Sequence, residues 1–162
     1  MTAHILGTKA AMKNPEEVFV AGLLHDIGKV VLYVKWPDVG QQITAVTRNT
    51  SQPLMDVEQE LFEVTHADVG GWLASAWHLP ASLREPILHH HSPAAAQDAK
   101  VQTAVVHVAD VLVKGLACGN PGDDLVPPLS RQAWDLVGLD AQSLAHCLTQ
   151  ATEEFQTIDD YL

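Results

Sequence analysis

PEEVFVAGLLHDIGKVVLY, residues 15–33, has the marks of a helix start at one end and a chemical motif in its middle. Asn14 can cap the backbone, Pro15 supplies a fixed φ where no N–H partner is needed, and Glu16 and Glu17 sit where the helix dipole favours carboxylates. The apolar residues Val20, Leu23, Leu24, Ile27, Val30 and Val31 recur at helical spacing, which predicts one helix to about Tyr33 with a single core-facing stripe. His25, Asp26 and Lys29 fall off that stripe together.

Further helices are predicted from about Pro37 to Arg48, Pro53 to Glu63, His66 to Trp77 behind a Thr65 cap, and Pro80 to His90. A longer one, from about Asp98 to Ala117, turns Val101, Ala104, Val105, Val108 and Leu112 inward and stops at the breaker cluster Cys118-Gly-Asn-Pro-Gly122. Residues 118–128 read as the one long loop, and Asp123-Asp124 in it as solvated. A short helix follows around Gln132 to Val137, and a last one begins near Asp140. There Leu144, Leu148, Ala151, Phe155, Ile158 and Leu162 alternate four and three residues apart, a heptad-like seam that wants a partner surface in this domain or on another chain. No stretch alternates apolar and polar residues between turn signals, so strands are not needed. The expectation is an all-α bundle forming a single domain over residues 1–162.

Composition bounds the function. With 162 residues, 47% of them hydrophobic, the chain can bury one sizeable core but not two independent ones. Nine Lys+Arg against twenty Asp+Glu leave a net charge of −11, which repels phosphate backbones and anionic membrane surfaces. Nucleic acid is therefore not expected as a partner. No apolar run approaches the length of a membrane span, and no secretory signal is visible. Cys118 and Cys147 stand in no paired or finger-like spacing, a usage that fits a reducing cytoplasm. Of nine histidines, seven lie between His25 and His107.

Adjacent on a helix, His25 and Asp26 would point about 100° apart, so both can reach a cation beside the helix without stacking along one face. Imidazole with carboxylate suits iron, manganese, zinc or nickel. Lys29, one turn on, is placed to meet a phosphate oxygen bound at that cation. Taken alone, the pair also fits a buried histidine bonded to a backbone group. Gly22 and Gly28 are poor helix formers, which predicts the close approach of a neighbouring helix or a ligand. Other candidate ligands are His66, the run His89-His90-His91, and Asp110. His107 either orients Asp110 or is a core histidine. His78 reads as structural, with Trp77 beside it filling the core, and Trp36, Trp72 and Trp134 as packing residues at core or surface.

Several strings in order complete the pattern. They are Ala21-Gly-Leu-Leu-His-Asp-Ile-Gly-Lys29; Glu60 and Phe62 leading to His66-Ala-Asp-Val-Gly70; Trp77-x-Leu-Pro80; Ile87-x-x-His90-His91-x-Pro93; and Val106-x-x-Ala109-Asp110. Together they resemble the HDOD family, the HD-related output domain of bacterial signalling proteins, within the HD superfamily of metal-dependent phosphohydrolases. The resemblance spans nearly the whole chain. It implies an HD-type helical bundle and a ligand set of His25, Asp26, His66, His90, His91 and Asp110, with His89 a spare. One or two divalent transition metal ions would be held there, and Asp26 and Lys29 would carry any catalysis. Catalytic members of the superfamily have a further metal-binding histidine on an earlier helix, farther before the HD pair than His4 stands from His25. The expectation is that the N-terminal part of the family domain is missing. After His90-His91 the sequence reads Ser-Pro-Ala-Ala-Ala, without the Gly-Tyr-Pro of the HD-GYP cyclic-dinucleotide phosphodiesterases.

Three readings of function follow. The first is a cytoplasmic signal-transduction output module with a metal-binding HD site and weak or no catalysis. The second is a metal-dependent phosphohydrolase acting on a nucleotide or other phosphate ester. The third is a protein-interaction module, pairing with a signalling partner or a second copy through the C-terminal helix.

Overall fold

In the computed structural model, which describes residues 1–50, 52–117 and 125–159, the stretch 15–33 is two helices rather than one. The chain runs α1 (Thr2–Lys9), α2 (Pro15–Leu24), α3 (Ile27–Lys35), α4 (Pro37–Asn49), α5 (Leu54–Phe62), α6 (His66–Ala76) and α7 (Ala81–His89). A 3-10 turn (Pro93–Ala95), α8 (Lys100–Gly115), α9 (Arg131–Val137) and α10 (Ala141–Asp159) complete it. Among the described residues there is no strand, and no helix is long and apolar enough to cross a membrane. The fold is all-α. Helix α1 and the 3-10 turn are elements that the sequence pattern does not announce.

The break in 15–33 falls on the His-Asp pair. Asp26, at φ −98° and ψ 13°, leaves helical geometry and stands at the N-terminus of α3. Two half-length helices therefore replace the expected continuous one, and the core-facing stripe is overturned with it. Leu23, Val30 and Val34 are exposed, the first at 71%. The buried positions are instead Val18, Ala21, Gly28 and Leu32. The reason is close packing of backbones. A Cβ on Gly28 would overlap the His66 carbonyl oxygen and stand 2.8 Å from the Gly70 nitrogen, so α3 and α6 cross with almost nothing between them. Gly22 faces Ala3 of α1 in the same manner, a Cβ there meeting the Ala3 Cβ at 3.1 Å. Glycine marks the points of closest helix approach, because a tight crossing excludes large side chains there.

Helix α8 runs through the middle and packs against α1, α2, α7 and α9. Leu6, Val18, Ala104, Val105, Val108, Cys147 and Ala151 are fully or almost fully buried in the core around it. At 25 cal/mol per Å² of apolar area, roughly 1.5–3 kcal/mol accompanies each large apolar side chain so buried. A second cluster, Ile43, Leu54 and Val57, joins α4 to α5. Helix α10 docks on α1. Cys147 and Ala151 are its buried positions, with Leu144, Leu148 and Phe155 half-buried beside them. The Ile158 side chain and Leu162 of the expected seam lie outside the described residues, as do Cys118 and Asp123-Asp124 of the expected loop.

Two caps fix the elements that carry candidate ligands. Thr65 opens α6 with a capping box: its hydroxyl accepts the Asp68 N–H, and the Asp68 carboxylate accepts the Thr65 N–H. At the start of α8 the Glu85 carboxylate, from α7, accepts N–H bonds from Gln97, Asp98 and Ala99. That bond set ties the helix carrying His89 and leading to His90 to the helix carrying Asp110. Trp77, expected in the core, is 55% exposed, because the chain turns at His78 with positive φ and carries the indole outward.

Candidate metal centre

His25 and Asp26 in the α2–α3 break, His66 at the start of α6, His90 and His91 after α7, and Asp110 on α8 converge on one point. The break is what makes this possible. On a continuous helix His25 and Asp26 would diverge, whereas here His25 Nε2 lies 3.4 Å from Asp26 Oδ2 and 3.7 Å from Asp110 Oδ1. The other oxygen, Asp26 Oδ1, lies 3.3 Å from His66 Nε2 and 3.7 Å from His90 Nε2. His66 Nε2 and His91 Nε2 are 3.0 Å apart. Asp26 thus sits in the centre, one oxygen toward each half of the cluster.

Three of the imidazoles are held from behind. His25 Nδ1 donates to the Gly22 carbonyl at 2.8 Å, and His90 Nδ1 to the Ile87 carbonyl at 2.9 Å. His66 Nδ1 donates to Glu58 Oε2 at 2.6 Å, and the same carboxylate accepts the His66 backbone N–H at 2.8 Å. Each bond fixes the tautomer that keeps the proton on Nδ1 and turns the Nε2 lone pair inward, which is how metal-ligating histidines are oriented. Glu58 is almost wholly buried and was not anticipated from the sequence. Its place eight residues before His66, on the inward face of α5, is the signal that could have found it.

The electrostatics favour donors over charged acids. Burial alone would raise the Asp26 carboxyl, but the approach of His66 and the charges of His25 and Lys29 outweigh it and hold Asp26 well below the usual carboxylate range. Asp110 is lowered likewise, against its burial, by His25 and Lys114. Burial, then the charges of His91, His25 and His66, push His90 far below the ordinary imidazole value. Burial and the His66 charge bring His91 down to about 3. His25 and His66 move the other way: burial lowers each, and their carboxylate neighbours more than compensate. Lys29 Nζ donates to Asp26 Oδ2 at 2.7 Å.

Whether these residues fit a cation can be asked of the atoms themselves. His66, His90 and His91 form one set of three donors within 4.8 Å of one another, and His25, Asp26 and His90 form another. Asp26 Oδ1 and His90 Nε2 are buried with no hydrogen-bond partner, although buried polar atoms are ordinarily satisfied. Two orphaned donors facing each other across a histidine-rich centre are what a cation would satisfy. The residues fit.

Other candidates stay outside. His89 lies beside Glu85 rather than in the cluster. His4 bonds Glu16 near the surface at 3.2 Å. His107 orients no carboxylate: its Nδ1 donates to the His90 carbonyl at 2.7 Å, and its Nε2 accepts the Ser130 N–H at 3.0 Å.

Comparison with known proteins gives the fold and the family. A protein of Treponema pallidum (strain Nichols), itself uncharacterized, is 27% identical over 108 residues, covering 66% of this chain and 21% of that protein. An HDOD domain protein of unknown function from Geobacter sulfurreducens has the same fold, with a TM-score of 0.85 at 24% identity over 99% of this chain and 58% of that one. A provisionally assigned phosphohydrolase from Shewanella amazonensis follows at TM-score 0.56 and 22% identity, over 92% of this chain and 60% of that one. The chain thus spans less than two thirds of each relative's length. The family model of the HDOD domain matches residues 1–93, more than half of the sequence, and the chain belongs to the HDOD domain family.

Proposed function

We propose that this HDOD domain is a signalling output module that holds a divalent transition metal ion at the His/Asp centre and turns over phosphate esters weakly or not at all. The observation that carries the reading is the convergence of Nε2 atoms whose outer nitrogens are already bonded, around a carboxylate oxygen with no partner. His66, His90, His91 and Asp26 would hold one ion with four donors. His90 has a single inward nitrogen, since its Nδ1 is bonded to Ile87, so it cannot serve both sets. The other half of the centre keeps His25, Asp26 and Asp110, three donors, and would retain a second ion less firmly.

A bound cation of this kind supplies a Lewis acid for a phosphoryl oxygen and lowers the pKa of water. The chain's own residues do the rest. Glu58 and the Gly22 and Ile87 carbonyls orient the imidazoles, Lys29 holds the Asp26 carboxylate, and burial keeps His90 and His91 unprotonated. The second reading, a working phosphohydrolase, is favoured by one observation: Lys29 and Lys114 line a cavity that reaches His66 and His91, so an anion could come beside the centre.

Elemental analysis of protein purified without chelator, followed by titration with manganese, iron and zinc, tests the metal reading. About one firmly held ion per chain is expected, lost in Asp26→Ala while helical circular dichroism persists. Protein that is metal-free and takes up none of these ions overturns it.

A further inference from the structure

Beside the metal centre the fold leaves a cavity of about 370 Å³ with two kinds of wall. His66, His91, Lys29 and Lys114 line it toward the centre. Leu54 and Met55, at the start of α5, and Val126, Pro127 and Pro128, in the segment before α9, supply apolar walls. We propose that this cavity binds a phosphate monoester carrying a compact apolar body of about the size of an aryl ring. The inference rests on the metal-centre reading for where the head lies, and it adds what the remainder of the ligand must be.

Charge selects the head. The chain has nine Lys+Arg against twenty Asp+Glu, yet two of those nine face this one cavity, with Asp56 as its single carboxylate among the described lining residues. A bound cation would add to that field. In a strongly negative protein, such a place concentrates anions that reach it. Lys29 is bonded to Asp26 at 2.7 Å and Lys114 stands 3.7 Å from Asp110, so the two lysines offset those carboxylates, and a divalent cation beside them would leave a double positive charge that matches a phosphate monoester better than a singly charged carboxylate.

Volume and wall chemistry select the body. At about 370 Å³ the cavity lies near the small end of the range of roughly 300–1,000 Å³ for ligand sites, which suits one ring and not a dinucleotide. Leucine, methionine, valine and two prolines offer a ring dispersion contacts. Those five offer sugar hydroxyls no side-chain hydrogen bonds and leave Asp56 as the one carboxylate of the described lining to accept one, and an unsatisfied buried hydroxyl is costly.

Calorimetric titration of the full chain, with its metal content measured in parallel, tests the inference. The probes are phenyl phosphate, inorganic phosphate, ribose 5-phosphate and benzoate. Phenyl phosphate should bind about tenfold or more tightly than each of the other three. Val126→Asn should weaken phenyl phosphate by about tenfold while inorganic phosphate and metal content stay unchanged. Met55→Asn probes the opposite wall by the same criterion, should Val126→Asn fail to fold. Phenyl phosphate binding no tighter than inorganic phosphate or ribose 5-phosphate overturns the proposal whatever the metal content. A phenyl phosphate preference in protein that takes up no metal supports the cavity and overturns only the metal reading.

Discussion

Glu58 Oε2 accepts two hydrogen bonds from one residue, the Nδ1–H of the His66 ring at 2.6 Å and the His66 backbone N–H at 2.8 Å. The carboxylate therefore sets the position of His66 and the direction of its free nitrogen at once. Glu58→Gln keeps the size and an acceptor but removes the charge. Metal affinity should fall by about 10- to 100-fold, the usual effect of altering a partner behind a ligating histidine. Competition against a chromogenic chelator reads this directly, and an unchanged affinity would show that Glu58 is only a packing residue.

Gly28→Ala should cost at least about 3 kcal/mol, beyond ordinary overpacking, because the clash is with the backbone of α6 rather than a side chain that can rotate. Urea denaturation measures the loss. A wild-type midpoint would mean that α3 and α6 do not cross as closely as described.

Metal uptake should weaken on acidification. His25 and His66 have raised pKa values, so each keeps its proton to a higher pH than a free imidazole, and a metal must displace it. His91, at about 3, and His90, lower than usual, carry none to displace at neutral pH. As the pH falls through these raised values the apparent affinity should drop, approaching about tenfold per unit for each proton displaced, with protons released on binding. Titrations in buffers of different ionisation enthalpy count those protons, and a pH-independent affinity would refute the account.

Removing α10 by truncation before Gln142 should cost at least about 3 kcal/mol or cause aggregation, since it strips cover from the core that Cys147 and Ala151 enter. Thermal melting and light scattering distinguish this from a soluble, equally stable fragment, which would show that the docking on α1 is dispensable.

Turnover of p-nitrophenyl phosphate with saturating manganese should remain below about one per second, the lower end of ordinary enzyme rates, because half of the centre would hold an ion with only three donors. Rapid turnover that vanishes in Asp26→Ala would promote the phosphohydrolase reading.

The helical architecture was legible from capping residues and breakers: Thr65, Pro37 and the start of α8 stand within two residues of where the sequence puts them. So was the identity of the residues that meet around Asp26, through the strings they belong to. The inward face of α2 and α3 was not. Periodicity weighs residues by bulk, and it chose Leu23 and Val30, whereas the contact with α6 is made where Gly28 lets two backbones touch. The break at Asp26 was hidden for a related reason: Leu24, His25 and Ile27 are all acceptable in a helix, and only tertiary contacts decide that the chain turns there. Glu58 was overlooked because a lone glutamate on a helix ordinarily faces solvent.

His107 spends both ring nitrogens, one on the His90 carbonyl and one on the Ser130 N–H. Accepting at Nε2 requires that this nitrogen carry no proton, so the ring is locked in one tautomer between two segments far apart in sequence. The Ser130 amide is consequently a natural reporter. It stands two residues beyond the prolines that wall the cavity, yet its hydrogen bond leads through one ring to the turn bearing His90 and His91. Its amide exchange rate and nitrogen chemical shift give a solution observable, read with diamagnetic zinc, through which occupancy of the centre can be followed without touching the candidate ligands themselves.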